Sequence, residues 1–370
     1  MSMIEKAGVA TGHGQPAPAL PLVSVVVTNF NYARFIEECL RSIAGQTYPH
    51  IEVVIVDDVS TDNSVDVIRK FIATEPRAKS FQLVLQSENG GQMAGFIAGA
   101  ERTGGMFITF VDADDYLLPD FVEKHVAAHL NGRVSAAVSC SNENQIDGDG
   151  RIITTTMDNW RYPDASGLRL TGRVPIRAMP VSSKTGGDCA VVHAHYVAPH
   201  ADPTRGWIWS TTSAAMFRRS AISLALHDSV RTMRISADYH ILHFSHLLGG
   251  TLLIHDALGC YRRHGNNNFA RLGTVGQGSQ MSISNCAEFD RFVLNALVAR
   301  FPEILEVCGL RGYKIVAAFA GFRTLRQVYR ASPKASMVNL ARLALLIAAT
   351  RTRRFLANLR AKLHALLALN

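Results

Sequence analysis

Four short apolar, β-branched runs constrain this chain more than any other feature. They are Leu22–Thr28 (LVSVVVT), Ile51–Val56 (IEVVIV), Phe81–Leu85 (FQLVL) and Phe107–Val111 (FITFV). Runs of this length and composition read as buried strands. The segments between them have helical character. Tyr32 to Ala44 places Phe35, Ile36, Cys39, Leu40 and Ile43 on one face, and Ser60-Thr61-Asp62 supplies N-cap chemistry for a helix through Val65, Ile68, Phe71 and Ile72. Glu88-Asn89-Gly90-Gly91 opens a third helical stretch. Strand and helix alternating at roughly 25–30 residue spacing predict an α/β fold with a mainly parallel central sheet of βαβ units flanked by helices. Ligands of such sheets bind beyond the carboxyl ends of the strands. Those ends are polar here: Thr28-Asn29, Asp57-Asp58, Gln86 to Asn89, and Asp112 to Asp115. The architecture gathers them at one rim.

The fourth run leads directly into Asp112, Asp114 and Asp115. Packing gives no reason for three carboxylates there, and carboxylates so close together repel unless a counter-charge is present. A divalent cation with oxygen ligands, its shell completed by phosphate oxygens, answers that need. A solvated acidic turn is the plainer reading of the segment taken alone. Further on, Ser236-Ala237-Asp238-Tyr239 sits where a helix begins, before Ile241, Leu242 and Phe244. Asp238 is then either a first-turn carboxylate favoured by the helix dipole or a general base beside an acceptor hydroxyl. Tyr261 to Asn268 (YRRHGNNN) reads as a polar loop. Arg262 and Arg263 suit diphosphate recognition, and His264 is either a solvated histidine or a nitrogen ligand on a metal otherwise held by carboxylates.

Taken together, VSVVVTNFNYARFIEECLRSIAGQTYPHIEVVIVDDVSTDNS, FITFVDADDYLLPDF, SADYHILH and YRRHGNNN resemble, in order, the blocks of a family 2 glycosyltransferase. This is the inverting, nucleotide-sugar-dependent group with a GT-A (Rossmann-like) fold. The resemblance implies that Thr28 and Asp58 meet the nucleobase and ribose, with Asn29 and Asp57 beside them. It implies that Asp112-Ala113-Asp114 is a DxD motif, whose first aspartate faces the sugar or ribose and whose second holds Mn²⁺ or Mg²⁺. Asp115 follows at once and competes with Asp114 for the metal. Asp238 matches the catalytic base, and His264 a position that contacts metal or diphosphate. The implied reaction moves one sugar from a nucleoside-diphosphate donor, a UDP-sugar by expectation, to a hydroxyl of a glycan or lipid-linked acceptor with inversion. Two departures are Phe96-Ile97 where relatives often carry Arg-Asn, and Ala237 where they often carry Glu before the base. No QxxRW-type signature of processive polymerases is present, so single-sugar transfer is expected.

Composition fixes the remaining expectations. Cys39, Cys140, Cys189, Cys260, Cys286 and Cys308 form no CxxC pair, which argues against a zinc site or a disulfide framework and for a reducing compartment. From Val307 to Asn370 there are twelve Lys/Arg and no Asp/Glu, so the net charge of +8 belongs to the tail and the body is mildly acidic. Nucleic acid is therefore not an expected partner. The expected organisation is a flexible leader (1–20), a GT-A domain (21–270, with a donor half to 130 and an acceptor half from 131), and a helical basic C-terminal region (271–370). Met337 to Thr350 falls short of the roughly 20 residues needed to cross a bilayer. Arginines interleaved with Phe355, Leu356, Leu359 and Leu363 suggest helices lying on an anionic membrane. The expected location is cytoplasmic, on the inner face of the membrane. Two alternatives are kept: a catalytically silent, membrane-docked partner protein, and a nucleotidyl or sugar-phosphate transferase.

Overall fold

A strand reading VSVVV presents Val23, Val25 and Val27 to one side and Val26 to the other, so it needs cover on both faces. The computed structural model places it at the centre of such a sheet. It describes residues 20–132, 134–156, 171–177, 191–199, 207–264, 286–309, 311–312 and 315–316. The N-terminal half runs β1 (Val23–Asn29), α1 (Ile36–Ala44), β2 (Ile51–Asp57), α2 (Ser64–Thr74), β3 (Phe81–Leu85), α3 (Gln92–Ala100) and β4 (Phe107–Asp112). All pairings here are parallel, in the order β3-β2-β1-β4. α1 presents Ile36, Cys39, Leu40, Ile43 and Ala44 to the cluster that holds Val23, Val25 and Val27. α3 covers the opposite face, where Phe96 packs with Val26 and Phe110. Burying each such side chain contributes about 1.5–3 kcal/mol.

The chain leaves β1 towards β2 and returns on the other side at β4, so the crevice between their carboxyl ends is the ligand position of such sheets. Register aligns Thr28 with Asp112 and Asn29 with Asp57. α3 approaches this rim closely through Gly95, where a Cβ would lie 2.9 Å from Cγ2 of Thr28.

Beyond β4 the sheet becomes mixed. The elements are β5 (Tyr116–Leu117), α4 (Phe121–Asn131), β6 (Val138–Asp147), β7 (Ile152–Thr154), β8 (Thr171–Arg177), β9 (Val191–Val197), β10 (Ala215–Arg218), α5 (Arg219–Ala225), α6 (Ala237–Gly249), β11 (Thr251–Arg263), α7 (Cys286–Ala299) and α8 (Phe301–Cys308). The order continues β4-β10-β6-β11-β9-β8. β10 is antiparallel to β4 and β6, while β11 is parallel to β6. The expected parallel order thus holds for the first four strands and gives way where connections such as β6–β7 contain no crossover helix.

One local expectation is corrected, and one stretch has no local pattern to announce it: Ala136 to Trp209 carries β6 as far as Asp147 and also β8 and β9. Ser139, Ser141, Glu143 and Gln145 are buried polar residues on β6, and they hide its strand pattern. Tyr261, Arg262 and Arg263 are the end of β11 rather than a loop. Gly265 to Asn268 lie outside the described residues, as do residues 1–19 of the leader and the tail from residue 317. Val293, Ala296, Leu297, Phe301 and Ile304 of α7 and α8 join the core that holds α5 and α6. Among the described residues no helix is long and apolar enough to cross a membrane.

Candidate active site

The carboxyl ends of β1 and β2 form a hydrogen-bonded scaffold. Asp57 is 2% exposed and accepts from Asn29 Nδ2 at 2.7 Å, the Ser60 amide at 2.9 Å and Ser60 Oγ at 2.7 Å. It braces the β1 and β2 ends against each other. The Oδ1 atom of Asn29 is buried and has no partner among the described residues. Asp58 accepts from Gln86 Nε2, the Gly90 amide and the Gly91 amide, each at 2.8 Å. That grip fixes the turn opening α3. Thr28 is half-buried and donates to Asp112 Oδ1 at 3.3 Å.

The acidic cluster divides into three roles. Asp112 is half-buried, also accepts from Gln92 Nε2 at 3.1 Å, and its carboxyl is pushed up to about 7 by burial and then by Asp114. Asp115 is 1% exposed and both its oxygens are occupied, by Ser213 Oγ at 2.6 Å and by the Arg262 amide at 2.9 Å. Burial and the neighbouring carboxylates raise it well above the ordinary range. Asp114 instead faces His264, with Nε2 and Oδ2 2.9 Å apart. Tyr32 and Phe35 pack on the His264 ring, at centroid distances of 5.7 and 5.1 Å. Asp114 is thus the aspartate paired with the histidine, and Asp115 is the lock behind it.

The arginines serve the wall of this site. Arg262 is 2% exposed, donates through Nε to the Asp114 carbonyl at 2.9 Å, pairs with Glu38, and lies 4.8 Å over the Phe35 ring. The diphosphate-facing position expected for it is taken up by this brace, because its guanidinium is turned into the protein. Arg263 is half-buried and donates to Gln145 Oε1 at 3.3 Å.

Asp238 occupies the first turn of α6, where Oδ1 accepts from the Tyr239 amide at 2.8 Å. Burial pushes its carboxyl up to about 6, near the range that suits a general base at neutral pH. Asp238 is close enough to Asp112 to help raise the Asp112 carboxyl, and Gln92 bonds both Asp112 and the Ala237 amide beside Asp238.

Several site residues carried no local motif. Glu143 on β6 is fully buried, accepts from the Thr211 amide at 3.0 Å and from Thr211 Oγ1, and is pushed up to about 7 by burial. It anchors the segment that delivers Ser213. A lone glutamate among buried serines on a strand is the sequence signal for it. Backbone strain marks the same region. Among the described residues the non-glycines with left-handed φ are Asn31 at 62°, Val59 at 65° and Ser236 at 59°. They stand next to Tyr32, Asp58 and the Ala237-Asp238 turn. Such outliers persist only where surrounding contacts over-determine them, and they cluster at functional sites.

Among the described residues no group of three His, Cys, Asp or Glu side chains forms a complete cation cage. The site offers Asp114 with His264, beside Asp112 and Asp115, whose carboxyls are raised by burial and then by Asp114. This oxygen and nitrogen set fits Mn²⁺ or Mg²⁺ whose remaining ligands come from phosphate.

Residues 24–177 match the family described as Glycosyl transferase family 2. This segment of the chain is similar to that family, and the described residues form a mixed sheet with helices on both faces. The chain is 34% identical over 152 residues to a chondroitin synthase of Pasteurella multocida, covering 41% of this chain and 15% of the synthase. It is 28% identical over 246 residues, 66% of each protein, to an uncharacterized glycosyltransferase of Nostoc sp.. A solved structure of S. aureus TarS 1-349 in complex with UDP-GlcNAc is 17% identical with a TM-score of 0.44, covering 80% of this chain and 71% of that one.

Proposed function

We propose that this protein is an inverting glycosyltransferase. It transfers one sugar from a nucleoside-diphosphate donor, a UDP-sugar, to a hydroxyl of a glycan or lipid-linked acceptor in surface polysaccharide or glycoconjugate synthesis. The observation that carries the reading is the grouping at the β1 and β4 carboxyl ends: Thr28 and Gln92 bond Asp112, Gln92 also bonds the Ala237 amide beside Asp238, and Asp114 pairs with His264. Thr28 and the Asp58 turn line the nucleotide side. Asp114 and His264 hold a divalent cation, with Asp112 turned towards the sugar or ribose. When bound, the cation offsets the charge developing on the departing diphosphate.

Asp238 accepts the proton of the acceptor hydroxyl as its oxygen attacks the anomeric carbon from the face opposite the diphosphate. The new carbon–oxygen bond forms as the bond to the diphosphate breaks, and its electron pair leaves with the nucleoside diphosphate. The configuration at that carbon inverts. Buried Asp238 is ionised at neutral pH yet more basic than a solvated aspartate, which suits the step. The basic segment from Val307 onwards keeps the enzyme at the cytoplasmic face of an anionic membrane, near a lipid-linked acceptor.

The test is nucleoside-diphosphate release from UDP-GlcNAc, UDP-Glc, UDP-Gal, UDP-GlcA and GDP-mannose with Mn²⁺, with nucleotide binding followed by calorimetry. The wild type binds UDP in a Mn²⁺-dependent way and turns over at least one donor. Asp238→Asn binds equally and releases nothing. A folded wild type that binds no nucleotide refutes the reading; one that binds but turns over no donor favours the silent partner. For the membrane, the full chain floats with vesicles rich in anionic lipid and not with zwitterionic ones.

A further inference from the structure

We propose that Gln92 is the positioning residue of this site: it caps helix α6 from another element and ties the base-bearing turn to Asp112. The inference rests on the glycosyltransferase reading above, and it begins with an irregularity at the start of α6. The first amides of a helix need partners outside it, and an N-cap serine usually supplies one from an extended backbone. Ser236, the N-cap of α6, is instead left-handed at φ 59° and ψ 31°, and its hydroxyl makes no capping bond. The first amide of the helix, that of Ala237, donates to Gln92 Oε1 at 3.2 Å. The other end of the same side chain, Nε2, donates to Asp112 Oδ1 at 3.1 Å.

One neutral side chain therefore touches the donor-side carboxylate and the residue immediately before the base. A side-chain amide is a donor through its nitrogen and an acceptor through its oxygen without charge. A glutamate could not donate to Asp112, and asparagine is one methylene shorter. The backbones around Gln92 are stitched in the same sense. Its own amide donates to the Arg234 carbonyl at 3.1 Å, and that of Met93 to the Met233 carbonyl at 3.4 Å. Gly91, at φ 81°, lies so close to Arg234 that a Cβ there would sit 2.6 Å from its Cα. The 233–236 segment is thus pressed on the start of α3, and Gln92 completes the contact at the two carboxylates. Removing it leaves Asp112 and Asp238 both present but loosely placed, and displacement on the order of 1 Å in such constellations lowers turnover by about 100-fold.

Two readouts test this in the full chain. Hydrogen exchange followed by mass spectrometry reads the first turn of α6 without any turnover. In Gln92→Met and in Gln92→Asn, exchange in that turn rises about fivefold, the effect of losing one ordinary hydrogen bond, while the last turn of α6 is unchanged. Kinetics with whichever donor of the panel turns over then shows kcat lowered at least tenfold, with UDP–Mn²⁺ affinity within threefold of wild type. The asparagine variant decides the matter if the methionine variant does not fold. Wild-type exchange in the first turn overturns the inference, as does an unchanged kcat with a KM that rises in step with the UDP dissociation constant. Faster exchange in the variants, together with a wild type that turns over no donor, places the failure in the glycosyltransferase reading and not in the cap.

Discussion

Asp114 and Asp115 are adjacent carboxylates that should respond in different ways when disturbed. Asp115 is reached through its lock: Ser213→Ala removes the 2.6 Å bond from Ser213 Oγ to Asp115 and the 3.1 Å bond that Ser213 Oγ accepts from the Asp112 amide. A hydrogen bond to a charged group contributes about 1.5–3 kcal/mol and a neutral one about 0.5–1.5 kcal/mol. The substitution therefore destabilises by about 2 kcal/mol where the Asp115 carboxyl is protonated and about 4 kcal/mol where it is ionised. Burial already raises that carboxyl, and losing the serine raises it further, so the loss grows with pH. At about 2–4 °C per kcal/mol for a domain of this size, melting falls by roughly 4–8 °C in acid and more in base. Asp114→Ala, by contrast, loses the bond to His264 and relieves the repulsion on Asp112 and Asp115, two effects of opposite sign, so metal-free stability changes little. Its effect appears on adding Mn²⁺: the wild type gains about 2.7 kcal/mol at 100 times the dissociation constant, and the variant gains nothing. The assay is thermal unfolding of the three proteins at pH 6 and pH 8, with and without Mn²⁺. A Ser213→Ala protein that melts with the wild type, or an Asp114→Ala protein that Mn²⁺ stabilises fully, refutes the division of roles.

Three further outcomes follow from the same geometry. With Asp238 pushed up to about 6 by burial, kcat falls about tenfold per pH unit below that value and is level above it. The native state binds this proton more tightly than the unfolded chain, so Asp238 weakens the fold as pH rises through 4 to 6, and urea unfolding at pH 7 shows Asp238→Asn more stable than wild type. His240 is buried and held down to about 4, so its contribution is complete above about 6.5 and is lost as pH falls towards 4. At about 1.36 kcal/mol per unit, urea unfolding shows His240→Leu losing about 2 kcal/mol less than wild type between pH 7 and pH 5. Gly91→Ala forces a Cβ to 2.6 Å from the Arg234 backbone at a φ of 81°. It destabilises by about 3 kcal/mol, measured as the shift in urea midpoint at unchanged slope.

The sequence made the parallel half readable because its signals are local. Apolar runs closed by Asp57-Asp58 and Asp112 gave β2 and β4 nearly to the residue, and the rule for carboxyl ends put their aspartates at one rim. The first-turn position of Asp238 was legible for the same reason. What escaped was long-range. Ser213 reaches Asp115 across 98 residues and Gln92 reaches Ala237 across 145, and nothing in the neighbouring sequence announces either contact. Arg262 reads as a loop arginine suited to diphosphate unless one knows that Phe35, Tyr116 and Glu38 enclose it. β6 escaped because its inward positions are polar: Glu143 is satisfied by Thr211, Ser139 by His125 and Ser141 by the Ala214 carbonyl, not by apolar packing.

The run from Ser236 to His264 descends as α6, turns at Gly250 and climbs back as β11, each element 13 residues long. Asp238 and His264 therefore stand at the two ends of one covalent hairpin. Each end is held by a tie to the first half of the chain, the base turn by the Gln92 side chain and His264 by Asp114. The base and the histidine therefore reach their places only once the parallel half is folded against this segment, which couples assembly of the site to folding of the donor side.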